Sequence, residues 1–501
     1  MKRVYITGRH PATADVARQY RELGYDVNVN DNDNENDNVN DNDNVNDNEN
    51  DNGNVKLDDY DELFVAADAT AADASAADYA AIARTAQLAE SVSEGRRLTC
   101  HLLVRCRATL SMLQTTDFCY SIRQRIDVYA FTTDELWCRA IVPDYEPITI
   151  QSERRVHVVI FGIDDVAQQV ALHTALVAHY PNYVHDKRLR TRITMVAQGA
   201  DEKARRFRAE YRHLFDNSYY RVVKPSEEQT VADFHEPMYN GRRQDFVDVE
   251  WEFVDAEWWD ADVQAKLRQW AKDDGQLLTI VMADGDAGRN VSSSLRLPDE
   301  VLGRGIPVHV YRGENPVYDV TLPLVRMAKT VNYIYDRCYE ENDAGWNGRL
   351  RYAVEVDDAE RERSWARLKN VKRMSSIYNA MTVPSKMRSL GLDADDWDKV
   401  YDITQHDAEI LSEVEHNRWS VEELILGFRP CTDDEMKQIA ADVKTQKAAF
   451  KARKIHYDLV AYDELKPDGT GKPVQVYDMC LSSCLPLIAK EGIRFSLEFS
   501  V

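Results

Sequence analysis

Short apolar segments typical of buried strands alternate with helical patterns through the first 320 residues of the chain. The first cycle opens with RVYITG at Arg3. The second opens with RRVHVVIFG at Arg154 and closes with IPVHVYRG at Ile306. Continuous apolar strands separated by helices are typical of parallel sheets with helices on both faces. The sequence therefore predicts an α/β fold, with two tandem Rossmann-like domains of mostly parallel sheet over residues 1–150 and 151–330.

An asparagine-rich repeat interrupts the first cycle between residues 28 and 54, with asparagine at every even position. It has no aromatic residue and few apolar ones, so it cannot bury enough surface to offset the entropy of ordering its backbone. We predict a disordered loop inserted between two strands of the first domain. The Asp-x-Asp spacing lacks the twelve-residue loop and closing glutamate of a calcium site, and we expect no specific metal there.

The C-terminal part of the chain has helical rather than strand patterns. Apolar residues recur at helical spacing through DAEILSEVEHNRWSVEELILGF, and Gly427 followed by Pro430 is typical of a helix end. A charged helical segment and then YDMCLSSCLPLIAK follow. We predict a helical module over residues 405–501, joined to the second α/β domain by a mostly helical linker over 331–404.

Within this module three motifs occur in a fixed order. They are E-H-x-x-W at Glu415, G-[aromatic] at Gly427, and H-x-x-L-V-x-[aromatic]-x-x-L at His456. This order resembles the ryanodine receptor repeat (RyR domain), a module that occurs in animal calcium-release channels and in bacterial soluble proteins. The segment departs from the repeat at Phe428, where the family usually has tryptophan. The resemblance implies a regulatory or ligand-sensing protein, and the combination of domains is typical of bacteria.

Four residues of these motifs are candidate ligand contacts: His416, Trp419, Tyr457 and Tyr462. His416 and Trp419 are three residues apart and therefore share one face of the predicted helix. Aromatic side chains stack on planar rings, and an imidazole can hydrogen-bond a polar edge, so the ligand that we expect is a nucleotide or a related small molecule. The same four residues could instead form the core of a small helical domain, and the sequence leaves that alternative open.

The strand–turn–helix VHVVIFGIDDVAQQVALHTA resembles the nucleotide-binding domain of Trk-type potassium-uptake regulators. A dinucleotide fingerprint there requires G-x-G-x-x-G/A, so that the backbone can approach the pyrophosphate. Gly162 and Ala167 fit the first and third positions, but Asp164 occupies the second, and a carboxylate there would repel the pyrophosphate. We therefore expect weak NAD binding at this turn. Gly8 opens a similar turn in the first domain, for which a plain strand–helix turn is the alternative.

Composition limits the classes of function. The net charge is −24, and the nine acidic residues of the tract leave −15 for the rest of the chain, which argues against nucleic acid as a partner. The eight cysteines have no zinc-ligand spacing and indicate reduced thiols. No run approaches 18 consecutive apolar residues, so we expect no membrane span and a cytoplasmic location.

Together these observations predict a cytoplasmic ligand-sensing regulatory protein that has no catalytic activity of its own. We assign no catalytic residue and no metal ligand. Two alternatives remain open: a nucleotide- or NAD-dependent oxidoreductase or hydrolase, and a cytosolic gating subunit of a potassium-uptake system. The expected partners are a small-molecule or nucleotide ligand, a further copy of the chain in a homo-oligomer, and a membrane transporter or another protein.

Overall fold

A computed structural model describes residues 1–30, 57–116, 122, 124–141, 148–225, 230–239, 242–243, 246–313, 318–343, 356–392, 403–441, 443–467 and 473–491. Most of the asparagine-rich tract, residues 31–54, lies outside the described residues. The chain divides into two compact units. Unit 1 comprises Met1–Trp137, Asn315–Leu322 and Ala366–Met374, and unit 2 comprises Cys138–Glu314, Pro323–Trp365 and Ser375–Val501.

The first part of the chain alternates strands and helices, as predicted. In chain order its elements are β1 (Arg3–Thr7), α1 (Ala12–Glu22), β2 (Asp26–Asn30), a 3-10 turn (Leu57–Asp59), β3 (Glu62–Ala66), α2 (Ala74–Glu90), β4 (Leu98–Leu103), α3 (Arg107–Thr115), β5 (Ile126–Phe131) and α4 (Thr133–Ala140). Strand β2 extends through Asn30, so the first three residues of the tract pair with β1.

Unit 1 is built on a five-stranded sheet with the strand order β2-β1-β3-β4-β5, in which every described pair is parallel. Alternate residues of β1 enter different cores, with Val4 and Ile6 on one face of the sheet and Tyr5 on the other. Because both faces are covered, the strands need apolar side chains at successive positions, which explains their continuous apolar patterns. The strand order reverses between β1 and β3.

The second part of the chain supplies the strands and helices of the α/β part of unit 2. They are β6 (Arg155–Phe161), α5 (Asp165–Val177), α6 (Asn182–His185), β7 (Thr191–Ala197), α7 (Ala200–Glu210), α8 (Arg212–Asp216), β8 (Tyr219–Lys224), β9 (Thr230–His235), β10 (Met238–Tyr239), β11 (Arg242–Arg243), β12 (Val249–Asp255), α9 (Ala261–Lys272), β13 (Gln276–Met282), α10 (Ala287–Ser294), α11 (Asp299–Leu302) and β14 (Val308–Val310).

The second sheet has seven strands in the order β14-β13-β6-β7-β12-β8-β9. All neighbours are parallel except β8 and β9, which pair antiparallel. Without β8 and β9, the strands in chain order follow the Rossmann arrangement 3-2-1-4-5. The mixed α/β architecture with mostly parallel sheets is therefore confirmed. Sequence patterns did not predict β8 and β9, because Arg221 and Lys224 break the apolar run of β8.

Helices dominate the rest of the chain. They are α12 (Pro323–Asp343), α13 (Asp358–Arg367), α14 (Asn370–Ser389), α15 (Gln405–Ile425), α16 (Asp433–Ala441), α17 (Val443–Ala452), α18 (Val476–Ser483) and α19 (Leu485–Lys490). The segment Ala366–Met374, at the end of α13 and the start of α14, belongs to unit 1. Two short parallel strands, β15 (Arg429–Pro430) and β16 (Ile455–His456), and a 3-10 turn (Tyr462–Glu464) complete this part of the chain. Helix α15 packs against α18 and also against α5, α6 and α8, so side chains on all its faces are buried.

Candidate ligand-binding site

The C-terminal end of α15 closes with a Schellman motif. The backbone N–H of Phe428 donates to the carbonyl oxygen of Glu423 at 2.9 Å, and that of Gly427 donates to the carbonyl oxygen of Leu424 at 3.1 Å. Gly427 has φ +84°, as this motif requires at its position. The predicted helix end at Gly427 is confirmed.

The strand pair after this helix end brings two distant segments together. β15 pairs in parallel with β16, with Pro430 opposite His456. The pairing sets the rings of Phe428 and His456 at a centroid distance of 6.0 Å. His456 is 4% exposed. A sequence motif at His456 is thereby joined to the end of α15, which lies about 30 residues earlier in the chain.

The four predicted ligand contacts and His456 form one continuous row of rings. Centroid distances along it are 5.8 Å from Tyr462 to His416, 5.7 Å from His416 to Trp419, 4.9 Å from Trp419 to His456 and 5.2 Å from His456 to Tyr457. His456, which was not among the predicted contacts, is the link between the two halves. The spacing falls within the range of favourable aromatic contacts.

His416 has a structural role within this row. Its Nε2 donates a hydrogen bond of 2.8 Å to the carbonyl oxygen of Val460, and the hydroxyl groups of Ser412 and Tyr462 are hydrogen-bonded to each other. Burial lowers the pKa of His416 to about 4, so the ring is neutral at pH 7. These two bonds hold the segment around Val460 on α15. The bond to Val460 occupies Nε2 of the imidazole.

The accessible part of the row carries positive charge. Trp419, Phe428 and Tyr457 are half-buried, and the ammonium groups of two lysines lie over two of these rings. Lys447 Nζ is 3.5 Å from the centroid of Tyr457, and Lys454 Nζ is 4.5 Å from that of Phe428. Cation–π attraction holds lysines in such positions. We call these five side chains the aromatic–lysine surface.

A buried charge network lies on another face of α15. Lys386 Nζ of α14 is 2.6 Å from Glu415 Oε2, Arg418 Nε is 2.9 Å from Glu415 Oε1, and Arg418 Nη1 is 2.8 Å from Glu422 Oε2. None of the four side chains is more than 4% exposed. Burial alone would raise the pKa of Glu415, but the charges of Arg418 and Lys386 hold it well below its usual range. The two cations and two carboxylates balance each other.

One further carboxyl group is electrostatically close to this network. Burial raises the pKa of Asp478 on α18 well above its usual range, and the charge of Glu415 acts in the same direction. Of these two carboxyl groups, Asp478 is therefore the one that binds a proton, and Glu415 stays ionised. The paired charges fix the position of α15 against α14, and α15 in turn carries Trp419 to the aromatic–lysine surface.

The turn after β6 has the geometry of a dinucleotide turn but not its charge. Gly162 has φ +128°, and a Cβ there would lie 2.7 Å from the carbonyl oxygen of Ala283, so only glycine fits. Ala167 is fully buried, as the third small residue of the fingerprint requires for close helix packing. Asp164 caps α5 by accepting a 3.3 Å hydrogen bond from the N–H of Ala167.

Carboxyl groups gather at the same turn, and one of them, Asp284, pairs with Arg289 at 3.2 Å. Burial raises the pKa of Asp164, and the charges of Asp284 and Asp165 add to this effect, although the hydrogen bond from Ala167 opposes it. Asp284 lies just beyond β13, the strand beside β6 where the strand order reverses. Ligands of open α/β sheets bind at such a reversal. The carboxyl groups there disfavour a pyrophosphate.

The turn at Gly8 in unit 1 is closed by its own hydrogen bonds. A Cβ at Gly8 would lie 2.1 Å from the carbonyl oxygen of Ala66, so the loops after β1 and β3 are in close contact. His10 Nδ1 accepts a 3.1 Å hydrogen bond from the N–H of Ala12, and the N–H of Thr13 donates to the carbonyl oxygen of His10 at 3.0 Å. The first donors of α1 are therefore already satisfied.

The structure brings the predicted residues of the C-terminal module together in one row of rings. Sequence reasoning missed His456, Lys447 and Lys454 as site residues, and it missed the pairing of Lys386 with Glu415. The spacing of Glu415, Arg418 and Glu422 along one helix was a signal that could have been used, because side chains three or four residues apart meet. Lys386 gave no such signal, since its partner depends on the packing of α14 against α15.

Two classes of site have no support in the described part of the chain. No group of three or more histidine, cysteine, aspartate or glutamate side chains in the described ranges is arranged to hold a metal ion. Among the helices described, none is both long and apolar enough to cross a membrane.

Comparisons with known proteins give little further information. No family model matches the chain, and no curated protein matches it. Among solved structures, the chain is similar to the crystal structure of a dipicolinate synthase subunit from Bacillus halodurans, with 10% identity and a TM-score of 0.19 over 62% of this chain and 89% of that one. A TM-score this low is not evidence of a shared fold. The Rossmann-type arrangement of unit 2 is therefore assigned from its strand order alone.

Proposed function

We propose that this protein is a cytoplasmic, ligand-sensing regulatory protein, and that its C-terminal RyR-type module binds a nucleotide or a related small molecule. The observation that carries the proposal is the aromatic–lysine surface. Half-buried rings of Trp419, Phe428 and Tyr457 lie beside the ammonium groups of Lys447 and Lys454. Rings that stack and cations that neutralise phosphates are the two elements that nucleotide recognition needs.

The chemistry of the surface sets the expected mode of binding. A purine or pyrimidine ring would pack on the accessible part of Trp419, a contact of roughly 1–3 kcal/mol per stacked base. Lys447 and Lys454 would then move from their rings to the phosphate oxygens, because a charge-assisted hydrogen bond is stronger than a cation–π contact at an exposed site. His416 and Tyr462 would support the rings from within the module.

Two alternative functions receive less support from the geometry. An NAD-dependent oxidoreductase would bind its cofactor at Gly162, where Asp164 caps the helix whose N-terminus would meet the pyrophosphate and Asp284 is electrostatically close to Asp164. A gating subunit of a potassium-uptake system would share the Rossmann-type strand order, but that order is common to many functions. A transporter or another protein as the recipient of the signal remains part of the proposal.

Titration of the full-length protein with ATP, AMP and NADH tests the proposed function. We expect ATP to bind and the variants Lys447→Met and Lys454→Met each to lower its affinity about fivefold, the effect of losing roughly 1 kcal/mol of charge interaction. Tyr462→Ala should weaken binding indirectly, whereas Trp419→Ala should also lower the free energy of unfolding.

Lys437→Met is the matched control, because Lys437 pairs with Asp434 on the exposed side of α16 and lies outside the aromatic–lysine surface. Its affinity for ATP should equal that of the wild type. If ATP does not bind, or if all three lysine variants bind it equally well, the module is not the nucleotide site.

A further inference from the structure

The outer strand of the second sheet exposes apolar side chains that an edge strand normally avoids. In β9, Val231 is 50% exposed and Phe234 is 63% exposed, and Met238 just beyond it is 56% exposed. No described strand pairs with the outer edge of β9. Isolated proteins usually protect such edges with charges, prolines or covering segments, because the free backbone groups pair with other chains.

A β-bulge aligns the two apolar residues of β9. Val231 lies opposite Val223 and Phe234 lies opposite Arg221, with the register shift between Val222 and Val223 leaving Ala232 as the extra residue. Val223 and Arg221 are two residues apart and share a face of the sheet. Val231 and Phe234 therefore lie on the same face, although they are three residues apart.

The opposite face of β9 is already occupied. Asp233 accepts a 2.8 Å hydrogen bond from Arg208, which also lies 4.3 Å from the ring of Tyr220. His235 stacks on Tyr220 with a centroid distance of 4.9 Å. The charge of Asp233 is thus compensated within the unit. On the other face, the side chains of Val231 and Phe234 are largely exposed.

We propose that β9 pairs antiparallel with β9 of a second copy of this chain, which joins two seven-stranded sheets across a twofold axis. The register centred between Ala232 and Asp233 places Val231 of each copy opposite Phe234 of the other. Two apolar cross-strand pairs then form on one face of the joined sheet. Asp233 of one copy lies opposite Ala232 of the other, and each Asp233 is paired with Arg208 of its own copy. Interfaces of this symmetry are self-complementary.

The net charge of −24 opposes association of two copies. A six-residue edge is also small beside the roughly 1,200–2,000 Å² that a stable interface buries. We therefore expect a concentration-dependent dimer rather than a permanent one. The backbone hydrogen bonds provide affinity, and the Val231–Phe234 pairs determine the register.

Sedimentation velocity of the full-length protein from about 1 to about 200 µM tests the association, over a range that resolves micromolar dissociation constants. The weight-average mass of the wild type should rise from that of one chain toward that of two. The Phe234→Lys variant should remain monomeric throughout. Leu295→Lys is the control, because Leu295 is 78% exposed at the end of α10, away from β9, and it should associate like the wild type.

A cross-linking experiment tests the register, and it also covers the case in which Phe234→Lys fails to fold. The double variant Val231→Cys with Phe234→Cys should form a disulfide-linked dimer under mild oxidation, because directly opposed Cβ atoms are about 4.5–5.5 Å apart. Phe234→Cys alone should not, since the two copies of residue 234 would be three positions, about 10 Å, apart along the strands. A wild type that stays monomeric overturns the proposal. So does association that neither β9 variant changes.

Discussion

The turn after β6 and the aromatic–lysine surface both belong to unit 2, and both contain residues selected from sequence, but their charges are opposite. The turn has the glycine, the small buried residue and the strand reversal of a nucleotide site, yet it holds Asp164 and Asp284. The surface has no such topology, yet it offers Lys447 and Lys454 above aromatic rings. The position of a site in the fold therefore does not determine its ligand, and the charges of its side chains must be considered.

The largest expected difference is between helix α15, which carries Trp419 to the aromatic–lysine surface, and the turn after β6, in how far stability depends on one charged side chain. Arg418→Met removes the cation shared by Glu415 and Glu422 and leaves buried carboxylates without it, so we expect a loss of about 3–5 kcal/mol in the free energy of unfolding. Urea unfolding measures it.

Asp164→Asn is the counterpart in the turn, because an asparagine keeps the helix cap, and it should change stability by less than about 1 kcal/mol. Lys437→Met, at an exposed ion pair, should have almost no effect. A loss at Arg418 no larger than that at Lys437 would mean that the network does not stabilise α15.

The two regions should also respond oppositely to pH. The pKa of His416 is about 4 in the folded chain and near 6.5 when unfolded. Between these values the unfolded chain binds a proton that the folded chain excludes. The contribution of His416 is thus present above pH 6.5 and is lost as pH falls toward 4, by up to about 3 kcal/mol. Urea unfolding between pH 4 and pH 6.5 should show that the free energy of unfolding of His416→Gln depends less on pH than that of the wild type.

The raised pKa of Asp164 has the opposite effect on how stability changes with pH. In the folded chain Asp164 keeps its proton up to a higher pH than it does in the unfolded chain. Its contribution to the free energy of unfolding therefore decreases as pH rises through the acidic range. Asp164→Asn should remove that decrease. His185→Gln, at an exposed histidine, is the control for the histidine variant. If the free energy of unfolding changed equally with pH in His416→Gln and in the wild type, the buried, neutral state of His416 would be contradicted.

A smaller effect is expected for cofactor binding at the turn. Wild-type protein should bind NADH with millimolar affinity or not at all. Asp164→Asn should improve the affinity about fivefold, since it removes a charge worth about 1 kcal/mol from the pyrophosphate position and keeps the cap of α5. Titration calorimetry with NADH measures this. Micromolar affinity in the wild type would instead favour the oxidoreductase alternative.

The smallest effect is expected outside both regions, in the asparagine-rich tract. Replacing residues 31–53 with a short Gly/Ser linker should leave the thermal midpoint within a few degrees, because shortening a polar loop changes its closure entropy only slightly. The residues lie outside the described part of the chain, so the prediction rests on composition. Thermal unfolding followed by circular dichroism measures the midpoint, and a large loss of cooperativity would show that the tract is structural.

Sequence patterns were informative wherever one segment determines its own structure. Continuous apolar strands predicted the parallel sheets, and Gly427 predicted the end of α15 because its Schellman bonds are local. That Asp164 disfavours a dinucleotide was predicted from its position alone and stays a prediction. The remaining features depend on contacts between distant segments, such as Lys386 with Glu415 or Phe428 with His456, and no local pattern indicates such pairs.

The connection from β2 to β3 has a consequence for how this sequence can change over generations. The two strands lie on either side of β1 and are parallel to it, and a connection between parallel strands of one sheet requires a dozen or more residues. Residues 31–56 exceed that minimum. Asn28 and Asn30 donate hydrogen bonds to Tyr60 and Tyr5, and these bonds fix the start of the segment. A loop with residues to spare can be longer or shorter at little cost in closure entropy. With β2 held in register, we expect the number of Asn-Asp units to vary between close relatives while the sheet stays the same.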